Sequence, residues 1–268
     1  MAYAISSDGA RIHYELHGDG PPVLLIMGLG SNAYGWYRTI PWLSQHYRVI
    51  AFDNRGVGRS DVPEGPYTMA QMAADTAAVI DASGHDRVDV IGASLGGMIA
   101  QHLTLAHPSR VRSLTLICTT PGGPNSIRAA DNVLAAMVEG GENPSTIYRR
   151  NAWFLYSNDT RTNHPERIEE DLAHRQKIPT TPAGYLGQVQ AAMGHDTWDQ
   201  LASIAVPTLV VHGTADLLIP PDNGRMLAER IAGAQLVLVP GAGHMLQSDG
   251  GDITREAILG FLGRIASN

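Results

Sequence analysis

Val88-Asp89-Val90-Ile91-Gly92-Ala93-Ser94-Leu95-Gly96-Gly97 is the stretch whose reading decides the fold. An apolar run with the length of a buried strand leads straight into Gly-Ala-Ser-Leu-Gly. The sequence Gly97-Met98-Ile99-Ala100-Gln101 then opens a small-residue helical pattern. A serine on so sharp a strand-to-helix turn needs neighbours without bulk; Gly92 and Gly96 supply that room, and Ala93 and Gly97 add to it. Gly-x-Ser-x-Gly alone occurs by chance. Placed after a strand and before a helix, it points to a nucleophile elbow and to covalent acyl chemistry at Ser94.

Outward from the elbow, strands and helices alternate. Val23-Leu24-Leu25-Ile26-Met27 is apolar at every position, as expected of a strand covered on both faces. Arg48 to Phe52 reads as the next short strand, and Trp36 to Leu43 reads as helical despite Pro41. Thr68 is placed to cap a helix from Met69 to about Ser83, with Met69, Met72, Ala73, Thr76, Val79 and Ile80 at helical spacing and Gly84 closing it. The helix after the elbow runs to His107, stopped by Pro108, and Val111 to Cys118 is another strand. Two alternating segments, Tyr3 to Ser6 and Arg11 to His17, flank Asp8-Gly9 and read as a hairpin or meander near a sheet edge. Short strands joined by helices imply right-handed crossovers and a mostly parallel sheet.

The rhythm breaks at Thr120-Pro121-Gly122-Gly123-Pro124. From Asn125 to Trp198 no buried strand is visible, and helical patches fall at 127–139, 144–155, 165–177 and 182–193. Alternation resumes with a strand ending at His212, a helix from Pro221 to Ile231, the strand Gln235 to Val239 and a helix from Asp252 to Ile265. The expected organisation is an α/β core of residues 1–124 and 199–268 with a helical cap at 125–198. That insertion falls over the carboxyl ends of the strands, where open parallel sheets bind ligands, and it would help to exclude water.

A serine hydroxyl is a weak nucleophile at neutral pH and needs a general base, itself oriented by an acid. Two loops after late strands offer these groups: Gly213-Thr214-Ala215-Asp216 and Pro240-Gly241-Ala242-Gly243-His244. Both candidates lie on the same rim as Ser94, in the chain order Ser94, Asp216, His244 that this architecture requires. Charge on a carbonyl oxygen also needs donors. The Leu95 N–H is one, and the glycine-rich loop Gly28-Leu29-Gly30-Ser31-Asn32 offers the Leu29 N–H as the second.

Other motifs carry less. The Gly28–Gly30 loop has neither the lysine of a phosphate-binding loop nor dinucleotide spacing. In Asp53-Asn54-Arg55-Gly56, Asp53 and Arg55 are expected to hydrogen-bond loop backbone and brace the rim. His212 is expected to pack beneath the Asp216 loop. His195, leaving the insertion beside Asp196, is a candidate for a pocket or structural hydrogen-bonding role. Aromatic and thioether side chains that could line a substrate pocket are Met27, Tyr34 and Trp36 from the core, and Met137, Trp153, Phe154, Tyr185 and Met193 from the insertion.

At 268 residues, 44% apolar and 17% charged, the chain can bury a large interior. A net charge of −7 with no basic run argues against nucleic acid as a partner. The single cysteine, Cys118, cannot form an internal disulfide or a cysteine metal cluster, and no His-Glu-x-x-His or comparable spacing suggests a metal. No cofactor is implied. The N-terminal residues lack a basic and apolar leader pattern, and no run reaches the ~18 apolar residues of a spanning helix. A cytoplasmic setting without membrane contact is the expectation.

Taken together, these motifs closely resemble the α/β-hydrolase fold family along essentially the whole chain. The resemblance rests on Gly28-Leu29-Gly30, on Asp53 to Ser60, on the Gly92–Gly97 elbow, on Val206 to Gly213 leading to Asp216, and on Gly241-Ala242-Gly243-His244. It implies an eight-stranded, mostly parallel sheet flanked by helices, with the second strand antiparallel and a helical cap between the sixth and seventh strands. It also implies Ser94, His244 and Asp216 as nucleophile, base and orienting acid. Among its members the chain is most similar to small carboxylesterases and lactonases, including enol-lactonases and antibiotic methyl esterases; Gly194-His195-Asp196-Thr197 strengthens that likeness. Many members carry His-Gly at the oxyanion loop, where this chain has Met27-Gly28. Dehalogenases and epoxide hydrolases of the family use aspartate at the elbow, and Ser94 argues against both. The resemblance leaves open thioesterases, perhydrolases, hydrolases of carbon–carbon bonds in diketones, and non-catalytic small-molecule receptors. The expectation is a monomer or homodimer acting on an apolar or aromatic ester or lactone with water.

Overall fold

Runs of residues apolar on both faces need cover on both sides, and the chain meets that need with one sheet between two helical layers. The structure is a computed structural model and describes residues 2–139 and 143–266. Its strands are β1 (Ala2–Ile5), β2 (Arg11–His17), β3 (Pro22–Ile26), β4 (Arg48–Phe52), β5 (Val88–Ala93), β6 (Val111–Ile117), β7 (Thr208–Gly213) and β8 (Gln235–Val239). They form an eight-stranded sheet in the order β1-β2-β4-β3-β5-β6-β7-β8. β2 is antiparallel to both β1 and β4, and the remaining neighbours are parallel. The central strands β5 and β7 are buried at every residue, whereas the edge strands β1 and β8 are only partly covered.

The helices are α1 (Ile40–Leu43), α2 (Met69–Ala82), α3 (Leu95–Ala106), α4 (Asp131–Val138), α5 (Pro144–Arg150), α6 (Ala152–Leu155), α7 (Asn158–Asn163), α8 (Glu166–Gln176), α9 (Pro182–Met193), α10 (Asp222–Arg230), α11 (Leu246–Asp249) and α12 (Gly251–Ala266). Thr68 caps α2, its side chain accepting from the Gln71 N–H at 3.1 Å. That helix buries Thr76 and places Met69, Met72, Ala73, Val79 and Ile80 in the larger core cluster, together with Ile99 and Leu103 of α3 and Leu227 of α10. On the opposite face a second cluster joins Trp36, Leu43 and the α12 residues Ile258, Phe261 and Leu262 to Val23, Leu25 and Ile91.

The Trp36–Leu43 stretch, expected as one helix, divides into a 3-10 turn over Ala33–Trp36 and the short α1. Pro41 falls in the first turn of α1, where its missing N–H costs no intrahelical bond. Between β6 and β7 the chain runs through α4 to α9, with no strand among the described residues. Side chains of Asn143, Ser157 and Thr181 cap α5, α7 and α9. An isolated bridge, Gly122 to Asp196, brings the two ends of this excursion together. The short α7 and α11 were not legible in the sequence pattern, since neither is long enough to show a helical period. No described helix is long and apolar enough to cross a membrane.

Candidate active site

Ser94 joins β5 to α3 at φ +54°, ψ −119°, a backbone region that L-residues rarely adopt and that costs about 1–3 kcal/mol. The packing that enforces this turn is supplied by glycines. A Cβ on Gly96 would come within 2.0 Å of the Ile26 carbonyl oxygen, and one on Gly92 within 2.3 Å of the Gly96 carbonyl oxygen. The Ser94 N–H donates to the Ile117 carbonyl at 2.9 Å, and the Thr119 hydroxyl donates to the Ser94 carbonyl at 2.8 Å. The serine is therefore held from both sides by the end of β6.

The candidate acid and base, Asp216 and His244, follow β7 and β8. His244 Nδ1 lies 2.8 Å from Asp216 Oδ2. A carboxylate can only accept, so Nδ1 carries a proton, and in the neutral ring Nε2 then keeps its lone pair. Oδ1 of Asp216 accepts from the Leu218 and Ile219 N–H groups, each at 2.9 Å. His212 Nε2 approaches Oδ2 at 3.4 Å while donating to the Ile219 carbonyl at 2.8 Å. Burial alone would raise the Asp216 carboxyl; the charge of His244 and the bonds from His212 and His244 outweigh it and hold the group below the usual carboxylate range. The His244 loop sits against the end of β6: Cys118 Sγ lies 4.0 Å from the Gly243 carbonyl. The loops carrying Ser94 and His244 thus flank the same residues, 117–119.

The Cys118, His212 and Asp216 ligand atoms lie within 4.8 Å of one another. His212 and Asp216 are engaged as described, and burial with the Asp216 charge pushes the Cys118 thiol well up, which keeps it protonated. This donor set serves hydrogen bonding.

The loop after β3 packs against the serine. A Cβ on Gly28 would meet Ser94 Cβ at 3.2 Å and Oγ at 3.7 Å. The Leu29 and Leu95 N–H groups find no backbone acceptor among the described residues. From the core side, Asn54 Nδ2 donates to the Met27 carbonyl at 3.0 Å, and Asp53 Oδ1 accepts the Ala33 N–H at 2.7 Å. Gly28→Ala should push on Ser94 and lower kcat/KM by on the order of 10- to 100-fold, for a stability loss of about 1 kcal/mol. Kinetics with an activated ester alongside thermal melting check this; unchanged kinetics would show that the loop does not set the serine's position.

The model of the alpha/beta hydrolase fold matches residues 21–251. The chain belongs to that family. Across 99% of both chains it is 34% identical to the protein of Azorhizobium caulinodans named "Putative carbamate hydrolase RutD". Among solved structures, a thermophilic esterase from Thermogutta terrifontis superposes with TM-score 0.84 at 29% identity, covering 98% of each chain. An enol-lactonase from Burkholderia xenovorans LB400 superposes with TM-score 0.84 at 27% identity, covering 97% of this chain and 99% of that one. The chain is an enzyme of the hydrolase family.

Within this hydrolase the remaining candidates separate. Met193 and His195 border one cavity of about 500 Å³ with Met98, Thr120 and Gly122. Met98 lies one turn along α3 from Ser94, to whose carbonyl its N–H is bonded. Met193 is 82% exposed, so it stands at the cavity's edge and encloses little. Trp36 is fully buried in the α12-side core and borders a different cavity, of about 680 Å³, with Trp42, Arg167 and Thr254. Met27 is likewise buried in that core, its side chain filling the space beside Gly35. Tyr34 lies under the Arg59 and Lys177 cations. Phe154, Trp153 and Met137 form a cluster of their own with Val133 and Leu218. Tyr185 is partly exposed and lies over Gly30. Asp53 bonds loop backbone, but Arg55 turns inward, against the expectation, into a buried pair with Asp75 and to Asp8 at 3.0 Å. A guanidinium cannot be buried without such partners.

His195 is buried in a polar latch. Its Nε2 donates to the Thr120 carbonyl at 2.9 Å, so Nδ1 accepts from His102 Nε2 at 3.2 Å. Burial pulls its pKa down to about 4, against the opposing bond to Thr120. Because the unfolded chain takes up this proton near 6.5 and the folded chain only near 4, stability is full above 6.5 and falls as pH drops through that window. The loss approaches roughly 3 kcal/mol. Urea titrations at pH 7 and 4.5 should show a smaller difference for His195→Gln than for wild type; equal differences would remove this assignment.

Gln188 and Arg175 were not found by reading the sequence. Gln188 Oε1 accepts the Gly30 N–H at 2.8 Å, and Arg175 reaches Ser31 Oγ at 2.5 Å. The signal for Gln188 was its place on the face of α9 marked by Gly184, Gly187 and Ala191, a polar residue in a buried register.

Proposed function

We propose that this enzyme is a serine hydrolase that cleaves a carboxylic ester or lactone through an acyl-enzyme on Ser94. The observation that carries this reading is the His244–Asp216 bond at 2.8 Å, on the rim where the elbow presents Ser94. His244 Nε2 takes the Ser94 proton as Oγ attacks the carbonyl carbon, and the Leu29 and Leu95 N–H groups receive the oxyanion. Collapse expels the alcohol, which takes the proton from His244. Water, deprotonated by the same imidazole, then attacks the acyl-enzyme and releases the acid. Asp216 holds the tautomer and stabilises the imidazolium. In this reading residues 125–198 act as the lid over the site, and Met98 and His195, which border the cavity beside α3, meet the acyl or leaving group, with Tyr185 above Gly30 as a further contact.

An apolar or aromatic ester or lactone is the preferred substrate, in line with the esterase and enol-lactonase of the same architecture. The relative named for carbamate hydrolysis supports a second reading, since a carbamate presents the same attackable carbonyl to the same three groups. A panel of aryl esters, lactones, carbamates, thioesters and vinylogous diketones, run with a serine-reactive phosphonate as control, separates these. Phosphonate-sensitive ester or lactone turnover is expected. Dominant diketone cleavage would overturn the ester assignment, and tight ligand binding without turnover would make the chain a receptor.

A further inference from the structure

Two helices of the 125–198 segment grip the loop that carries the second oxyanion donor. Arg175 on α8 donates to the Leu29 carbonyl at 3.4 Å, while Gln188 on α9 accepts the Gly30 N–H at 2.8 Å. These are the two ends of a single peptide group, the one immediately after the Leu29 N–H. Thr180 donates to the Gly30 carbonyl at 2.8 Å, and Asn32 donates to the Ile178 carbonyl at 3.1 Å. Within the loop itself the Ser31 N–H closes a turn on the Gly28 carbonyl at 3.2 Å. Every carbonyl from Gly28 to Gly30 is thereby engaged, and with the Arg175–Ser31 bond four of the loop's bonds to 175–188 are made by side chains of the insertion.

Gln188 is fully buried and uses both ends of its amide, since Nε2 also donates to the Arg55 carbonyl at 2.9 Å. It can reach both loops because α9 lies unusually close to the core. A Cβ on Gly184 would fall 1.8 Å from the Gly56 carbonyl oxygen, and one on Gly187 would fall 2.6 Å from the Tyr67 ring. Gly30 itself sits at φ +63° beneath Arg175 and Tyr185, leaving no room for a side chain. A loop with glycines at 28 and 30 has little stiffness of its own. Oxyanion donors are effective because they are already aimed when charge develops, so the rigidity must come from outside the loop.

We propose that Gln188, supported by Arg175, is a positioning residue for the oxyanion hole. The docked helical insertion thus sets the Leu29 donor and links lid position to acylation. This role rests on the serine-hydrolase reading above. Losing the Gln188 acceptor would leave the Gly30 N–H buried and unpaired, and the loop would relax to satisfy it.

The test uses the full chain, an aryl ester and an aryl boronic acid, whose tetrahedral adduct on Ser94 mimics the charged intermediate. Gln188→Ala is expected to lower kcat by about 10- to 100-fold, with KM changed less than about threefold and boronate affinity falling in parallel with kcat. Gln188→Glu keeps the acceptor toward Gly30 and should recover part of both. Gln188→Met fills the same space without the polar atoms, so it replaces the alanine variant if that one fails to fold. Arg175→Met, at a half-buried site, should give a smaller fall of the same kind. Folded Gln188 variants with wild-type kcat and boronate affinity would overturn the proposal. A wild-type chain that forms no acyl-enzyme would instead overturn the hydrolase reading and this role with it.

Discussion

Ser94→Ala is expected to lower kcat for an activated ester by at least about 10⁴-fold and to abolish the acylation burst. The alanine removes the atom that forms the covalent bond, and no nearby side chain can replace it. Thr119 spends its hydroxyl on the Ser94 carbonyl, and Cys118 is buried and held protonated. The fold should be retained, because the elbow is enforced by Gly92, Gly96 and the main-chain bond to Ile117, none of which involves Oγ. The strained φ of +54° remains in the variant, so its stability should stay near wild type. Stopped-flow measurement of the burst, with melting as the control for folding, decides the matter. Retention of most turnover in a folded Ser94→Ala protein would remove Ser94 from the mechanism.

Asp216→Asn is expected to reduce kcat by roughly 10⁴-fold through the wrong imidazole tautomer. The asparagine amide can turn its N–H₂ toward His244 Nδ1, which then becomes the acceptor and places the ring proton on Nε2. A protonated Nε2 cannot take the Ser94 proton. The native carboxylate admits no such choice, because Oδ1 is already filled by the Leu218 and Ile219 N–H groups and Oδ2 faces His244 and His212. The variant also loses the carboxylate that accepts from His244 and stands beside His212, so some stability should go as well. Comparing kcat with the unfolding free energy separates the effects. A fall in kcat no larger than the loss of folded protein would reduce Asp216 to a structural role.

Much of the architecture was legible because local sterics and burial write themselves locally. The runs 23–27, 88–93 and 208–212 are mainly apolar on both faces, as a covered strand requires, and they became β3, β5 and β7. Thr68 ahead of a helical period gave α2 its start. Ser94, Asp216 and His244 follow the runs that became β5, β7 and β8, and candidates at the carboxyl ends of parallel strands share one rim. Side chains whose role depends on the far side of a contact were not legible. Trp36 has the chemistry of a pocket aromatic beside Ser94, yet it is buried in the core cluster it shares with α12 and borders a different cavity. Arg55 suggested a rim brace, but Asp75 and Asp8, on other elements, draw it into the interior.

Ser94 began as a short motif between glycines, and by itself the sequence determined the elbow, the order of the catalytic candidates and the class of sheet. These follow from excluded volume and hydrophobic period over a few residues. Only the tertiary structure decided what holds the Gly28–Asn32 loop in place. The partners Gly30 and Gln188 are 158 positions apart, and their meeting depends on how closely α9 can approach Gly56 and Tyr67. That approach is a property of two packed surfaces, which no local stretch of the chain contains.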